Sequence, residues 1–444
     1  MKYWPSLLFL VWFLIVSVAL IRIRPQLMHP LAQEPLSLPP WTSPRPLLTG
    51  AIFGEGLTAP TFTYREGIAR DGVHQCDAAE SFEPCRQNPS RVPLDLKIAW
   101  RTRALNVGIH GASKSSPAAD ASGIYVGGDN GWFYHFDLDG KLIWQIHFDH
   151  ALRGVHGTAA LDRDHAFIGA YNGRFYCIDK KSGAVVWVTQ LVDAVGSSAV
   201  IDNDFIYVSS ERAKVLDGYL FKLKRATGVL VWSTMNFGEQ VHSSPALDLQ
   251  TGSAIVGANN GFLFSFSLAN GTLLWRQDLG GAIKGTALIK DGVAYVTTRK
   301  SELVAVETRT GSINWRISLQ GLVQSSPTLV PDVDALVMGG HKVPKLYGVK
   351  IGPDASLLWE KTIENGQAFD VMGSGVSVRM VGSDKFALWI ACGAQSICAL
   401  DALSGQILNK IPLGGTLTGV PTVFDQNIYV ALNDGGLVKL SARR

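Results

Sequence analysis

The sequence predicts an all-β fold, an eight-bladed β-propeller closed by an early strand, and three observations carry that prediction. Tryptophan recurs every 40 to 45 residues, five of these tryptophans share a Gly-x-x-x-Trp frame, and Asn-Gly turns separate short alternating strands inside the repeats. A repeat of that length is the size of one four-stranded propeller blade.

Composition agrees. At 47% hydrophobic and 17% charged residues the chain has too much apolar material to be disordered. Its 46 glycines and 12 tryptophans suit many short strands joined by tight turns. With 40 basic and 37 acidic side chains and no basic run, nothing marks a nucleic-acid surface, and that partner class is set aside.

In chain order, residues 1–24 come first. Trp4 to Ile21 is uncharged and almost wholly apolar, just long enough to cross a bilayer as one transmembrane helix. Ser17-Val18-Ala19 resembles a signal-cleavage site, but the short n-region and long apolar stretch favour an uncleaved anchor. No cysteine follows this stretch, which argues against a lipid-modified anchor. Residues 25–92 read as a stalk, rich in proline from Pro25 to Pro46, followed by a polar extension holding Cys76 and Cys85. Residues 93–444 read as the propeller.

The recurring tryptophans are Trp100, Trp144, Trp187, Trp232, Trp275, Trp315 and Trp359. Gly140, Gly183, Gly228, Gly271 and Gly311 each precede one by four residues, where a positive-φ turn residue is expected. Apolar pairs such as Leu142-Ile143 and Leu273-Leu274 then open the outer strand, and Asn130-Gly131, Asn172-Gly173 and Asn260-Gly261 mark the hairpin before it. Each unit starts on small residues, among them Ser115-Ser116, Gly157-Thr158, Ser197-Ser198, Ser243-Ser244, Gly285-Thr286 and Ser325-Ser326. Near a propeller axis bulky side chains would collide, so small residues there are first a packing requirement. Seven units fit between residues 114 and 412, the seventh with Asn409 in place of tryptophan. An eighth has three strands and then the chain ends. Leu94–Arg103, with Trp100, has the look of its missing fourth strand. A seven-bladed ring is the alternative.

Ala305-Val306-Glu307-Thr308-Arg309-Thr310-Gly311 with Trp315, and Ile178-Asp179-Lys180-Lys181-Ser182-Gly183 with Trp187, resemble the repeat of the pyrroloquinoline-quinone-type, or quinoprotein-like, propellers. The resemblance covers about residues 93–444 and implies the fold more strongly than any activity. Some members of that family are dehydrogenases that hold the quinone and Ca²⁺ at the channel mouth. Others, such as the propeller subunit of bacterial outer-membrane assembly, are non-catalytic and bind proteins. In both the tryptophan is structural, packing on the neighbouring blade.

The dehydrogenases carry a pair of adjacent cysteines and long insertions, and this chain has no Cys-Cys dipeptide and only short repeats. The expectation is therefore a non-enzyme without cofactor or metal; a quinone- and Ca²⁺-dependent alcohol or sugar dehydrogenase, or a small-ligand sensor, is the alternative. The residues preceding the small starts are Lys114, His156, Val195, His242, Lys284, Gln324, Met372 and Thr418. Two lysines and two histidines among them could hold an anion or a partner's carboxylate at the channel mouth, although solvated rim residues are the reading preferred. His147, His150 and His156 match no zinc spacing. Gly373-Ser374-Gly375 reads as an inner-strand start and not as a nucleophile site.

A disulfide between Cys76 and Cys85 is expected, and Cys392 and Cys398 either bridge across a hairpin or are two small buried residues. Cys177, alternating with aromatics, reads as a core thiol. Together these point to a single-pass protein with its propeller on the periplasmic or extracellular side. It would dock membrane or envelope proteins through its loops, Phe237, Phe369 and Trp41 being candidate contacts.

Overall fold

The computed structural model describes residues 91–105, 115–151, 154–212, 215–340, 345–363, 374–393, 395–417 and 419–442. The chain divides into two units, Met1–Thr42 and Ser43–Arg444, and every described residue belongs to the second. The expected anchor, the stalk, Cys76, Cys85, Trp41 and Phe369 lie outside the described residues. No described helix is long and apolar enough to cross a membrane.

Among the described residues the strands form eight four-stranded antiparallel sheets, the eight blades, so the seven-bladed alternative is set aside. Blade 1 comprises Ala118–Asp120, Gly123–Gly127, Trp132–Phe136 and Leu142–His147. Blades 2 to 7 begin at Ala160, Val200, Ala246, Leu288, Thr328 and Val376 and repeat that order. Blade 8 has Thr422–Phe424, Asn427–Ala431 and Leu437–Ala442, and its outer strand is Leu96–Arg101 from the start of the domain. Leu96 pairs with Ala442 and Arg101 with Val438, so first and last strands share a sheet and the ring is closed.

The tryptophans show why the repeat takes this form. Six of them donate the indole N–H to a carbonyl of the next blade: Trp100 to Leu138, Trp144 to Lys180, Trp187 to Arg225, Trp232 to Leu268, Trp275 to Thr308 and Trp359 to Ala402, at 2.7–3.2 Å. Each ring also lies against the turn glycine four residues ahead of the next outer-strand Trp or Asn. A Cβ on Gly228, which has φ +68°, would come 2.4 Å from the Trp187 ring. Glycine is required there on both counts. Trp315 is the exception, because blade 6 presents Ile351-Gly352-Pro353 in place of the usual turn and nothing lies within 4 Å of the Gly352 Cβ position.

A feature the spacing did not reveal accompanies every outer strand. The register slips by one residue directly before each tryptophan, as between Ser265–Trp275 and Phe266–Leu273, and likewise before Asn409. This β-bulge re-aims the indole toward the next blade. It also explains the apolar pair before it: the bulged residue, such as Ile143 or Leu274, stays half exposed on the rim.

The acidic residue of the turn frame has a local role. Asp179 and Asp401 accept the hydroxyl and backbone N–H of Ser182 and Ser404. Burial pushes both carboxyls up, but these hydrogen bonds outweigh it and hold them below the usual carboxylate range. Cys177 is a buried free thiol, its ionisation pushed up by desolvation, as befits a core residue.

Candidate functional site

Antiparallel pairing places the Asn-Gly turns and the approach to each inner strand at one end of the blades, and the Gly-x-x-x-Trp turns at the other. The first end is the channel mouth. Its floor is a ring of hydroxyls at the second small residue of the first seven units. Ser116 N–H donates to Thr158 Oγ1, Thr158 N–H to Ser198 Oγ and Ser198 N–H to Ser244 Oγ. The chain continues from Ser244 to Thr286, Thr286 to Ser326 and Ser326 to Ser374, and Val420 N–H returns to Ser116 Oγ. These distances run from 2.8 to 3.3 Å. The small residues are thus more than a packing device: they tie blade to blade. The recurrence of Ser or Thr specifically, and not of Ala, was the signal in the sequence.

This ring fixes the register of the mouth. Counting back two residues from each hydroxyl gives His156, Gly196, His242, Lys284 and Gln324, with Lys114, Met372 and Thr418 outside the described residues. Val195, expected in the mouth, is instead fully buried one position earlier, because Ser198 and not Ser197 holds the ring position. Gly196 faces the mouth, and the Tyr171 hydroxyl sits 2.7 Å from where its Cβ would be.

The predicted histidines are not free rim groups. His156 Nε2 lies 3.3 Å from Asp129 of the preceding blade, and its ring stands 4.3 Å from that of Tyr171. His242 Nδ1 lies 3.6 Å from Glu211, again of the preceding blade. Asp129 and Glu211 occupy equivalent places, two residues past Gly127 and Ser209, each of which donates its N–H to the first serine of its own unit. Both carboxylates are buried, and Gln324 is buried as well, whereas Lys284 is partly exposed. Sequence reasoning found the histidines but missed the acids, which lie about 27 to 31 residues from them in sequence and only meet across a blade junction.

Among the described residues the two mouth carboxylates belong to different junctions, each beside a histidine, and no three His, Cys, Asp or Glu converge. His147 Nδ1 lies 3.6 Å from Asp149, apart from the His156 pair. Cys392 and Cys398 are bonded across a blade-7 hairpin with Cα atoms 5.6 Å apart, which settles the two alternatives for that pair. They are six residues apart and not adjacent.

One hairpin departs from the others. In blade 3 the strands Phe205–Arg212 and Asp217–Lys224 run eight residues each, against five or six elsewhere in that position. Val215 and Leu216, between these strands, are 58% and 50% exposed. Leu216 has φ +54°, a left-handed conformation that a branched apolar residue rarely adopts. Asn236 bonds Asp217 and Gly218, the first residues after the turn, and Met235 beside it is exposed as well. Phe237, expected as a loop contact, instead turns inward and stacks on Phe264 and Phe266, at 4.8 and 5.2 Å between centroids. A ring with those neighbours is core.

Comparison with known proteins follows the same lines. The family model described as outer membrane protein assembly factor BamB matches residues 91–234 and 259–348, just over half of the chain. The outer membrane protein assembly factor BamB of Yersinia pestis is 25% identical over 228 residues, which is 45% of this chain and 55% of that protein. The chain spans about half the length of the curated relatives it matches. Among solved structures, BamB from Moraxella catarrhalis aligns with TM-score 0.60 at 19% identity, over 78% of this chain and 99% of that one. A europium-containing methanol dehydrogenase aligns with TM-score 0.62 at 12% identity, over 78% and 93%. At such identities the two structures share the fold with this chain, and the fold alone.

Proposed function

The chain belongs to the family of the outer membrane protein assembly factor BamB, and from that premise we propose that it is a non-catalytic scaffold that docks other proteins during outer-membrane protein assembly. It works without quinone or metal. The N-terminal segment would hold it at a membrane with the propeller on the periplasmic or extracellular side. The Cys392–Cys398 bridge is in keeping with an oxidising compartment.

The observation that carries the reading is the lengthened blade-3 hairpin with its exposed aliphatic pair. A rigid ring leaves its loops free to be shaped for a partner. Here one hairpin exposes two consecutive aliphatic side chains, and Glu211, close to that turn, ties it into the mouth beside His242. The groups around the tip carry both signs, Arg212 lying 3.8 Å from Asp217. That mixed surface suits the polar rim of a protein interface better than an anionic lipid surface, which calls for net positive charge. Lys284, partly exposed, belongs to the same face and extends the contact.

Burying the exposed parts of Val215 and Leu216 would contribute about 1–3 kcal/mol, roughly a ten- to hundred-fold change in affinity. The double variant Val215→Asp/Leu216→Asp is expected to weaken binding to the purified outer-membrane assembly machinery of the same cell at least tenfold. Its thermal midpoint should stay close to that of the parent, since neither side chain packs in the core. Unchanged affinity would remove the hairpin from the interface.

A further inference from the structure

The mouth repeats one juxtaposition, in which the turn after the second strand of a blade meets the approach to the next blade. At two junctions the pair is a carboxylate and a histidine, Asp129 with His156 and Glu211 with His242. Arg299 stands two residues past Thr297 as Asp129 stands two past Gly127, and Thr297 and Gly127 hold the same register in their blades. The equivalent pair between blades 5 and 6 is therefore Arg299 with Gln324, a cation and a neutral amide.

Two further cations belong to the mouth of blade 5. Lys284, partly exposed, lies two residues before Thr286 of the hydroxyl ring. The Arg299 N–H donates to the Ala282 carbonyl at 3.0 Å, which joins the Arg299–Lys300 turn to the approach that carries Lys284. The Lys300 side chain lies across that approach: a Cβ on Gly280 would come 2.4 Å from its Nζ, and one on Gly281 3.0 Å from its Cγ. Two successive glycines leave room for it. Arg299 and Lys300 are exposed, and among the described residues neither is in an ion pair. Residues 279–286, 297–301 and 319–327, which build this sector, contain no Asp or Glu. The acids that flank the first two stretches are engaged: Asp278 accepts the Gly280 N–H at 2.7 Å, and Glu302 pairs with Arg316 at 2.8 Å. The mouth is thus bipolar, with carboxylates at blades 1 and 3 and cations at blade 5. A surface region of one sign attracts and orients the opposite sign.

Gln324 narrows the kind of anion that fits. It is 5% exposed, and among the described residues its side-chain amide makes no hydrogen bond. A buried donor left unpaired is costly. With so little exposure, the amide is met by a single inserted group and not by a flat layer of lipid headgroups. A carboxylate on a protein loop has oxygens for both the guanidinium and the amide.

Building on the docking reading of the mouth face, we propose that Lys284, Arg299 and Lys300 form a basic arc that takes a carboxylate-bearing loop of the partner protein. The aliphatic pair of blade 3 supplies the apolar part of the contact. The arc sets its orientation, because charge complementarity fixes register and speeds encounter more than it adds affinity.

A fluorescent hexaglutamate peptide, added to the full chain in a neutral detergent, tests the arc without the partner. It is expected to bind the parent and to be released by salt. Binding should weaken by about tenfold or more in Arg299→Glu/Lys300→Glu and by a smaller factor in Arg299→Gln/Lys300→Gln. Both variants should keep the parent's thermal midpoint, since the two side chains are exposed. Binding to the purified outer-membrane assembly machinery should weaken in the same order. Peptide affinity that is unchanged by charge reversal would overturn the proposal. So would binding to phosphatidylglycerol vesicles that falls in step with the peptide, which would assign the arc to lipid. A parent chain that holds the peptide through these residues yet ignores the machinery upholds the arc and sinks the docking reading, so the two fail separately.

Discussion

A chain that begins at Ala104 is expected to lose the closed ring. Leu96–Arg101 supplies the whole fourth strand of blade 8, with Leu96 buried and Trp100 donating to blade 1. Its removal takes away six strand residues, the Trp100 ring over Gly140 and the Arg101 tie to Asp434. It also bares the edge of Leu437–Ala442, an open template for aggregation. A buried leucine and a packed tryptophan alone contribute more than about 5 kcal/mol, similar to the whole stability of an ordinary domain. The truncated chain should show no cooperative thermal transition, and a synthetic peptide of residues 91–103 should restore one. A transition that survives truncation unchanged would mean that the ring does not depend on this strand.

Trp187→Ala has the next largest effect. The indole is 2% exposed, bonds the Arg225 carbonyl at 3.0 Å and fills the space beneath Gly228. It also contacts Phe167 and Phe175, with ring centroids 5.9 and 6.1 Å away. Alanine leaves a cavity between two blades whose backbones are already fixed by strand pairing and cannot collapse into it. The expected loss is about 3–5 kcal/mol, read from the midpoint of denaturant unfolding. Trp315→Ala should cost clearly less, because blade 6 offers it no glycine turn and the ring is only half buried. Equal losses at the two positions would show that the turn contact adds nothing.

The architecture was legible because its signals are local and repeated. A tryptophan, a turn glycine and a small-residue start recur in most blades, so an error in one unit is corrected by the others. The closing strand was legible for the same reason, since Trp100 matched the spacing of six tryptophans elsewhere. Where one unit departed from the rest, the reading slipped. Val195-Gly196-Ser197-Ser198 offers three small residues in a row, and only the hydrogen bond from Thr158 shows which one sits in the ring. Phe237 read as a loop contact because its partners, Phe264 and Phe266, are strand residues whose inward face no spacing ties to it. The histidine–carboxylate pairs were invisible for a related reason: each joins a turn of one blade to the approach of the next. The long blade-3 hairpin left a trace in the sequence, as the stretch from Glu211 to Gly218 lacks the Asn-Gly turn of blades 1, 2 and 4.

The central claim is that this propeller acts by docking proteins on its mouth face. Photocrosslinking in the living cell tests it most directly, with a photoreactive residue placed at Val215 or, on the opposite face, at Leu249. Both sites are more than half exposed, so neither is disadvantaged by access. Adducts to outer-membrane assembly proteins from position 215 and none from position 249 are the predicted result. Equal adducts from both positions, or adducts from 249 alone, would contradict it.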